Sequence, residues 1–438
     1  MAGRLAVTGL LFTLLWFPLI GLAVSRIAGP MNLFLAGAGA NALVLFTASV
    51  LHVPLIPTMI ALGLVSAAIV VFRRRTMGDR RFRLSGQAGL PVLHSRTADI
   101  AMGAAVVWLF FVSAILPLTD YDGRAFWLLK AKAIAHERSV DGPFFHGSTV
   151  SPRNEYPLLV PMDAATVMIA VRDTDERHVR WLYAMFAVAL AFEVRRRIGG
   201  WYGALLLCLP QIAVHPEGSA LSAYSDIALA AFVACAVFEL ARDSPDPWRF
   251  GLWVAFTLLT KNEGLPFALT LLAVGAVVLR TRAAVTALPA IVAAASLFLW
   301  RSRIDPSDEA IFSLRDLPHR LDQLDDALLG VGRHMLAIRN WGVLWIAVAA
   351  AIVILAWRRR WHPLVIGAGA IAPMLALYII MYMVSNWRTE DLINSSAPRL
   401  LTHFVGPALL LIGECLCELP EPSKKRAIPW TPRVQTAP

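Results

Sequence analysis

The stretch DIAMGAAVVWLFFVSAILPL, residues 99–118, runs directly into TDYDGRAFWLLKAKAIAHE, residues 119–137. The first has twenty residues and one charge, at its outset. At about 1.5 Å per residue that is enough to cross about 30 Å of hydrocarbon. The second opens on two aspartates and a tryptophan and carries two lysines. An apolar run of membrane length that ends abruptly in charge reads as a span meeting a polar surface.

The rest of the chain repeats this pattern. Of 438 residues 58% are hydrophobic, and the mean hydropathy is +0.62, more apolar material than one soluble core buries. Apolar runs lie near 5–25, 31–50, 53–72, 99–118, 178–194, 200–215, 224–241, 265–280, 283–300, 341–357, 363–384 and 400–415, with a shorter one at 250–260. The expected fold is all-α: a polytopic transmembrane bundle of about thirteen spans, with amphipathic helices lying in its outer loops. Arg4 precedes an apolar stretch as in a secretory signal, but no small-residue cleavage site follows, so residues 1–24 read as a retained span.

The net charge of +10 sits in short loops beside the runs, where it orients a membrane protein, and nucleic acid is not needed to explain it. Cys208 and Cys235 fall inside apolar runs and Cys415 and Cys417 end the last one, a pattern of small buried residues, not a disulfide framework. GAGA at 37–40 and 367–370 supplies small residues that let helices approach closely.

The arginines of 73–83, Arg195–Arg197, Arg280 and Arg282, Arg358–Arg360 and Lys424–Arg426 form a series expected on the cytoplasmic side. Five stretches then share the opposite face: 119–177, 216–224, 260–264, 301–340 and 385–399. The chain divides into N-terminal spans with a basic loop (1–98), a membrane module (99–415) with outer loops 119–177 and 301–340, and a disordered tail (416–438).

Charges at the mouths of spans are costly to hold near hydrocarbon and are functional candidates. Asp122, Glu155, Asp226, Lys261, Glu263 and Arg399 are all expected on that face, with Asp120 close to the first. At 100° per residue Phe126, Leu129 and Ala133 share a stripe, with Trp127 and Ile134 at its margin, so 123–137 reads as an interfacial helix with Lys130 on its apolar face. Two readings of Lys130 stand: a lysine snorkelling to headgroups, or a cation for a lipid phosphate. Asp122, at the helix start, reads as an N-cap or as a catalytic or metal-binding carboxylate. Arg399 follows Pro398, so it is expected in the first turn of the last span, beside free N–H groups that suit a phosphate; an interfacial anchor is the alternative. The histidines show no HExxH-type spacing.

In order, DYDGRAFWLLKAKAI, NEYPLLVP, AYSDIALAAF, LLTKNEGLPFAL and NSSAPRLLTHF over residues 99–415 resemble the integral-membrane GT-C glycosyltransferases, the class of lipid-A aminoarabinose transferases and protein mannosyltransferases. The resemblance implies transfer of a sugar from a polyprenyl-phosphate donor to a lipid, glycan or protein acceptor, at the outer, periplasmic face of the cytoplasmic (inner) membrane. By it Asp122 matches the catalytic carboxylate, Asp226 and Lys261 match later motif positions, and Arg399 faces the donor phosphate, with inversion at the anomeric carbon. Lys130 joins the phosphate-binding set, and Asp226, Glu263, Glu155 and Asp120 support it. A divalent ion, magnesium or manganese, bridging Asp122 and Asp226 is the one cofactor these carboxylates admit. The rival reading is a transporter or flippase for a lipid-linked sugar or another anionic envelope lipid, though neither a repeat nor charges deep in the bilayer supports it.

Overall fold

The computed structural model describes residues 2–29, 31–76, 96–118, 120–147, 153–305 and 312–416. Among these every regular element is helical, and the one β-bridge joins Phe312 to Ser385. The expected disordered tail lies outside the described residues, apart from its first residue, Leu416.

The chain opens with α1 (Ala2–Ala28), α2 (Leu33–Val50), α3 (Leu55–Thr76) and α4 (Arg96–Ile115). A π-helical turn, Gly123–Leu128, leads into α5 (Leu129–Glu137), and then come α6 (Leu159–Val171), α7 (Arg180–Arg197), α8 (Gly200–Cys208) and α9 (Pro210–Ala213). Next are α10 (Asp226–Leu240), α11 (Pro247–Thr260), α12 (Gly264–Leu279) and α13 (Ala283–Arg301). The last third holds α14 (Leu324–Met335), α15 (Ile338–Trp341), α16 (Leu344–Trp357), α17 (Trp361–Met383), α18 (Thr389–Thr402) and α19 (Val405–Leu416).

Among the described residues six helices are long and apolar enough to cross a membrane, or seven if α18 and α19, bent by 52°, form one span. Helix length and composition do not confirm the expected figure of about thirteen. Several apolar runs fold as short helices buried inside the protein: all fifteen residues of α10 are buried, and α6 is buried from Leu159 to Met168. Apolar sequence answers equally to a protein interior and to lipid, and length separates the two. The lipid-like surface lies on α3 and α4, where only 11% and 22% of the window is buried.

Helix contacts follow the small residues. A Cβ on Gly37 would sit 1.7 Å from the Phe17 carbonyl oxygen, and one on Gly21 equally close to that of Leu33, so α1 and α2 meet backbone to backbone.

Residues 119–177 are not one outer loop, because α6 returns into the core against α2 and α1. The interfacial-helix reading shifts as well. The buried face of 123–137 takes in Phe126 with Trp127, Lys130, Ala131 and Ile134, while Leu129 and Ala133 are only partly buried. A π-turn takes more residues per turn than an α-helix and so rotates everything after it.

Of the arginine groups expected to share a side, Arg195–Arg197 and Arg358–Arg360 meet at one end of the bundle, while residues 77–95 and Lys424–Arg426 lie outside the described residues. Arg195 lies 2.8 Å from Asp99, Arg360 and Arg197 reach Glu414 at 2.8 and 3.5 Å, and Arg358 donates to the Cys415 carbonyl. Helices α10, α11 and α19 run from this end to the other, where the five remaining stretches converge.

Candidate active site

A cavity of about 630 Å³ lies where those stretches meet. Asp120, Asp122, Arg153 and Tyr156 come from the first stretch, Glu217 and Tyr224 from the second, and Asn262 and Glu263 from the break between α11 and α12. Phe312 comes from the fourth, and Trp387, Ser396 and Arg399 from the last. Pro266 of α12, Leu377 and Met381 of α17 and Leu400 of α18 give it an apolar side.

Asp122 is the pivot of the polar side. It precedes the π-turn but makes no capping hydrogen bond, contrary to the capping alternative, so its carboxylate is free to turn into the cavity. There Oδ2 stands 3.6 Å from Nη1 of Arg399. The guanidinium of Arg399 also lies over the Tyr224 ring, 5.2 Å from its centroid. Gly218, with φ of +73°, lets the backbone pass beneath: a Cβ there would be 2.7 Å from Cβ of Arg399.

Arg399 does not begin the last span. Pro398 lies inside α18, and Arg399 is in that helix's last turn. The argument from free N–H groups at a helix start therefore fails, and the site for an anion is made by the side chain alone.

Behind this wall lies a buried polar core. Asp226, the first residue of α10, accepts hydrogen bonds on Oδ1 from Nζ of Lys261 at 2.9 Å and from Nε2 of His403 at 2.9 Å. With Nε2 donating, Nδ1 of His403 accepts from the Tyr378 hydroxyl at 2.8 Å. Lys261 also lies 3.0 Å from Oε1 of Glu263. This chain ties α10, α12, α17 and the α18–α19 bend together, and of its members Glu263 and Tyr378 reach the cavity surface. Asp226 and Lys261 act on the cavity through these neighbours.

Lys130 is not at the cavity. It is fully buried, its Nζ donates to the Arg153 carbonyl, and the Trp127 and Tyr156 rings flank it at 5.9 and 5.3 Å. Burial pulls its ammonium down to about 7. It braces Arg153 and Tyr156 and reaches neither solvent nor the cavity wall. The side chain of Glu155 does not line the cavity; its carbonyl accepts from Nε of Arg301.

Asp120 does line it. Its Oδ2 is buried without a hydrogen-bond partner, and burial, with Glu217 and Asp122 nearby, lifts its carboxyl to about 6. Oε2 of Glu263 and Nε of Arg399 are likewise buried and unpartnered beside the same space. Each is enclosed by protein and unsatisfied, on a residue that lines the cavity.

Asp122 faces Arg399 and Asp226 faces Lys261 and His403, so each carboxylate already meets cations, and among the described residues no group of three His, Cys, Asp or Glu side chains could hold a metal ion. Sequence reasoning missed Arg153, Glu217, Tyr224, Tyr378 and His403. Glu217 carried a usable signal, as a charge in a short loop between apolar runs. His403 did not, since its partner Asp226 is 177 residues away.

No family model, curated protein or solved structure matches the chain.

Proposed function

We propose that this protein is a membrane glycosyltransferase that moves a sugar from a polyprenyl-phosphate donor to an acceptor hydroxyl, at the outer face of a cytoplasmic membrane. The observation that carries the reading is the pairing of Asp122 with Arg399 across a cavity polar on one side and apolar on the other. A donor whose phosphate sits at the membrane surface and whose tail stays in lipid needs both sides.

The acceptor oxygen attacks the anomeric carbon as the bond from that carbon to the phosphate oxygen breaks. Asp122 takes the acceptor's proton, and the electron pair leaves with the phosphate, whose growing charge meets the Arg399 guanidinium. Attack opposite the leaving group inverts the configuration. Arg399 has donors enough for a phosphate as well as Asp122. The carboxyl of Asp120, which lines the same cavity, serves to orient the acceptor hydroxyl. Lys261 is a positioning residue, holding Glu263 at the cavity edge. No step is routed through a metal.

A flippase would need a path through the bundle. Below the site the helices close on a second set of ion pairs around Glu239 and Arg249, which favours chemistry at one face over passage. The test is purified protein in nanodiscs with a panel of polyprenyl-phosphate sugars. Loss of lipid-linked sugar with release or transfer, dependent on Asp122, is expected. Movement of the lipid-linked sugar across liposomes, without cleavage of any donor, would replace the enzyme with a transporter.

A further inference from the structure

A second cavity, of about 670 Å³, lies apart from the site, between α3 and the ends of α5 and α6. Its floor is apolar, made of Ile56, Met59 and Ile60 from α3 with Met168 and Ile169 from α6. Its rim is cationic. Arg138 closes α5 and Arg172 closes α6, both are exposed, and neither guanidinium has an ion pair or hydrogen bond among the described residues. His136 stands beside them. The rim's one carboxylate, Asp173, is engaged elsewhere, 3.2 Å from Nε2 of His178 and accepting the Asp175 N–H.

The floor continues onto outward-facing α3, where Ile60 is 57% and Leu64 68% exposed. Only lipid suits such a surface on a spanning helix. Apolar walls that run out into lipid, capped by two unpaired guanidiniums at the helix end, match an amphiphile with an anionic head.

We propose that this cavity seats an anionic phospholipid, its acyl chains along α3 and its phosphate between Arg138 and Arg172. A guanidinium meets phosphate oxygens through two parallel N–H groups, so two of them can enclose one phosphate. A zwitterionic headgroup would bring its own ammonium toward both cations. The bland role for the two arginines is to offset the negative ends of α5 and α6.

The experiment uses the delipidated full-length protein in phosphatidylcholine nanodiscs, titrated with phosphatidylglycerol and followed by thermal unfolding and native mass spectrometry. The variant is Arg138→Gly with Arg172→Gly. Both positions have φ of +57°, which glycine adopts without strain, so loss of the side chains leaves the backbone at ease. The wild type is expected to retain phosphatidylglycerol over phosphatidylcholine and to gain thermal stability from it, and the variant to bind it on the order of tenfold more weakly with unfolding in phosphatidylcholine unchanged. No preference in the wild type, or an undiminished one in the variant, would overturn the proposal. Equal stabilisation by inorganic phosphate alone would reduce the cavity to an anion site without lipid. Equal loss of stability in phosphatidylcholine alone would return both arginines to their bland role.

Discussion

Two groups of buried charges stand at opposite ends of the same helices. Helix α10 begins at Asp226 in one and reaches Glu239 near its end, about 20 Å away at the rise of an α-helix. Around Glu239 the charges close on each other: Arg249 donates to its Oε1 at 3.2 and 2.9 Å, the Asp246 N–H adds a third bond, and Arg196 and Glu193 pair beside them at 2.6 Å. The space left there is about 10 Å³, room for no more than a water. At the Asp226 end similar pairs are made, yet Asp120, Asp122, Glu263 and Arg399 line a cavity of about 630 Å³. Buried charge alone therefore does not mark a site. Charge that lines room for a ligand does.

The contrast can be broken by substitution. Asp122→Asn should lower transfer by about a thousandfold through loss of the base, with helicity and thermal unfolding unchanged. A purified variant that turns over at a tenth of the wild-type rate or better would remove Asp122 from the chemistry. At the closed end Glu239→Ala should do the reverse. It leaves Arg249 buried without its partner and should cost about 3 kcal/mol in denaturant unfolding, while activity per folded molecule stays level. Loss of activity without loss of stability there would erase the distinction between the two ends. Arg399→Ala should reduce donor kcat/KM by about a hundredfold and change acceptor dependence less, with Arg399→Lys recovering part of the loss. If donor dependence is untouched, the arginine is an anchor.

The smallest effect belongs to Asp120. Its folded carboxyl titrates at about 6, against about 3.9 in an unfolded chain. The folded state holds the proton more tightly, so this group's contribution to stability is complete below about pH 4 and is lost as pH rises through 6. Asp120→Asn should flatten the stability profile over that window and gain on the wild type above it, by less than about 1 kcal/mol because the side chain is partly exposed. An unchanged profile would mean that the carboxyl is not held in the cavity as described.

The membrane class and the helical fold were legible because hydrophobic length is a local property: the first four runs appear as α1 to α4 within a few residues. The meeting of Arg195–Arg197 with Arg358–Arg360 at one end was legible for a related reason, since each group is contiguous and tied to a helix terminus. The span count was not. The sequence of α10 differs from a lipid-facing helix only in its surroundings, and those are supplied by α7, α11 and α19.

At the site, Asp122, Glu263 and Arg399 could be nominated from position alone, as charges at the mouths of apolar runs. Their roles could not. The burial of Lys130 against Arg153, the α18 register that put Arg399 at a helix end, and the contact of His403 with Asp226 each depend on how distant segments pack. By itself the sequence determined what must lie in an apolar environment and which charges sit at its edge, because transfer out of water depends on each residue's own chemistry. Only the tertiary structure decided which of those charges satisfy one another and which are left facing a cavity, because that depends on distances between residues far apart in the chain.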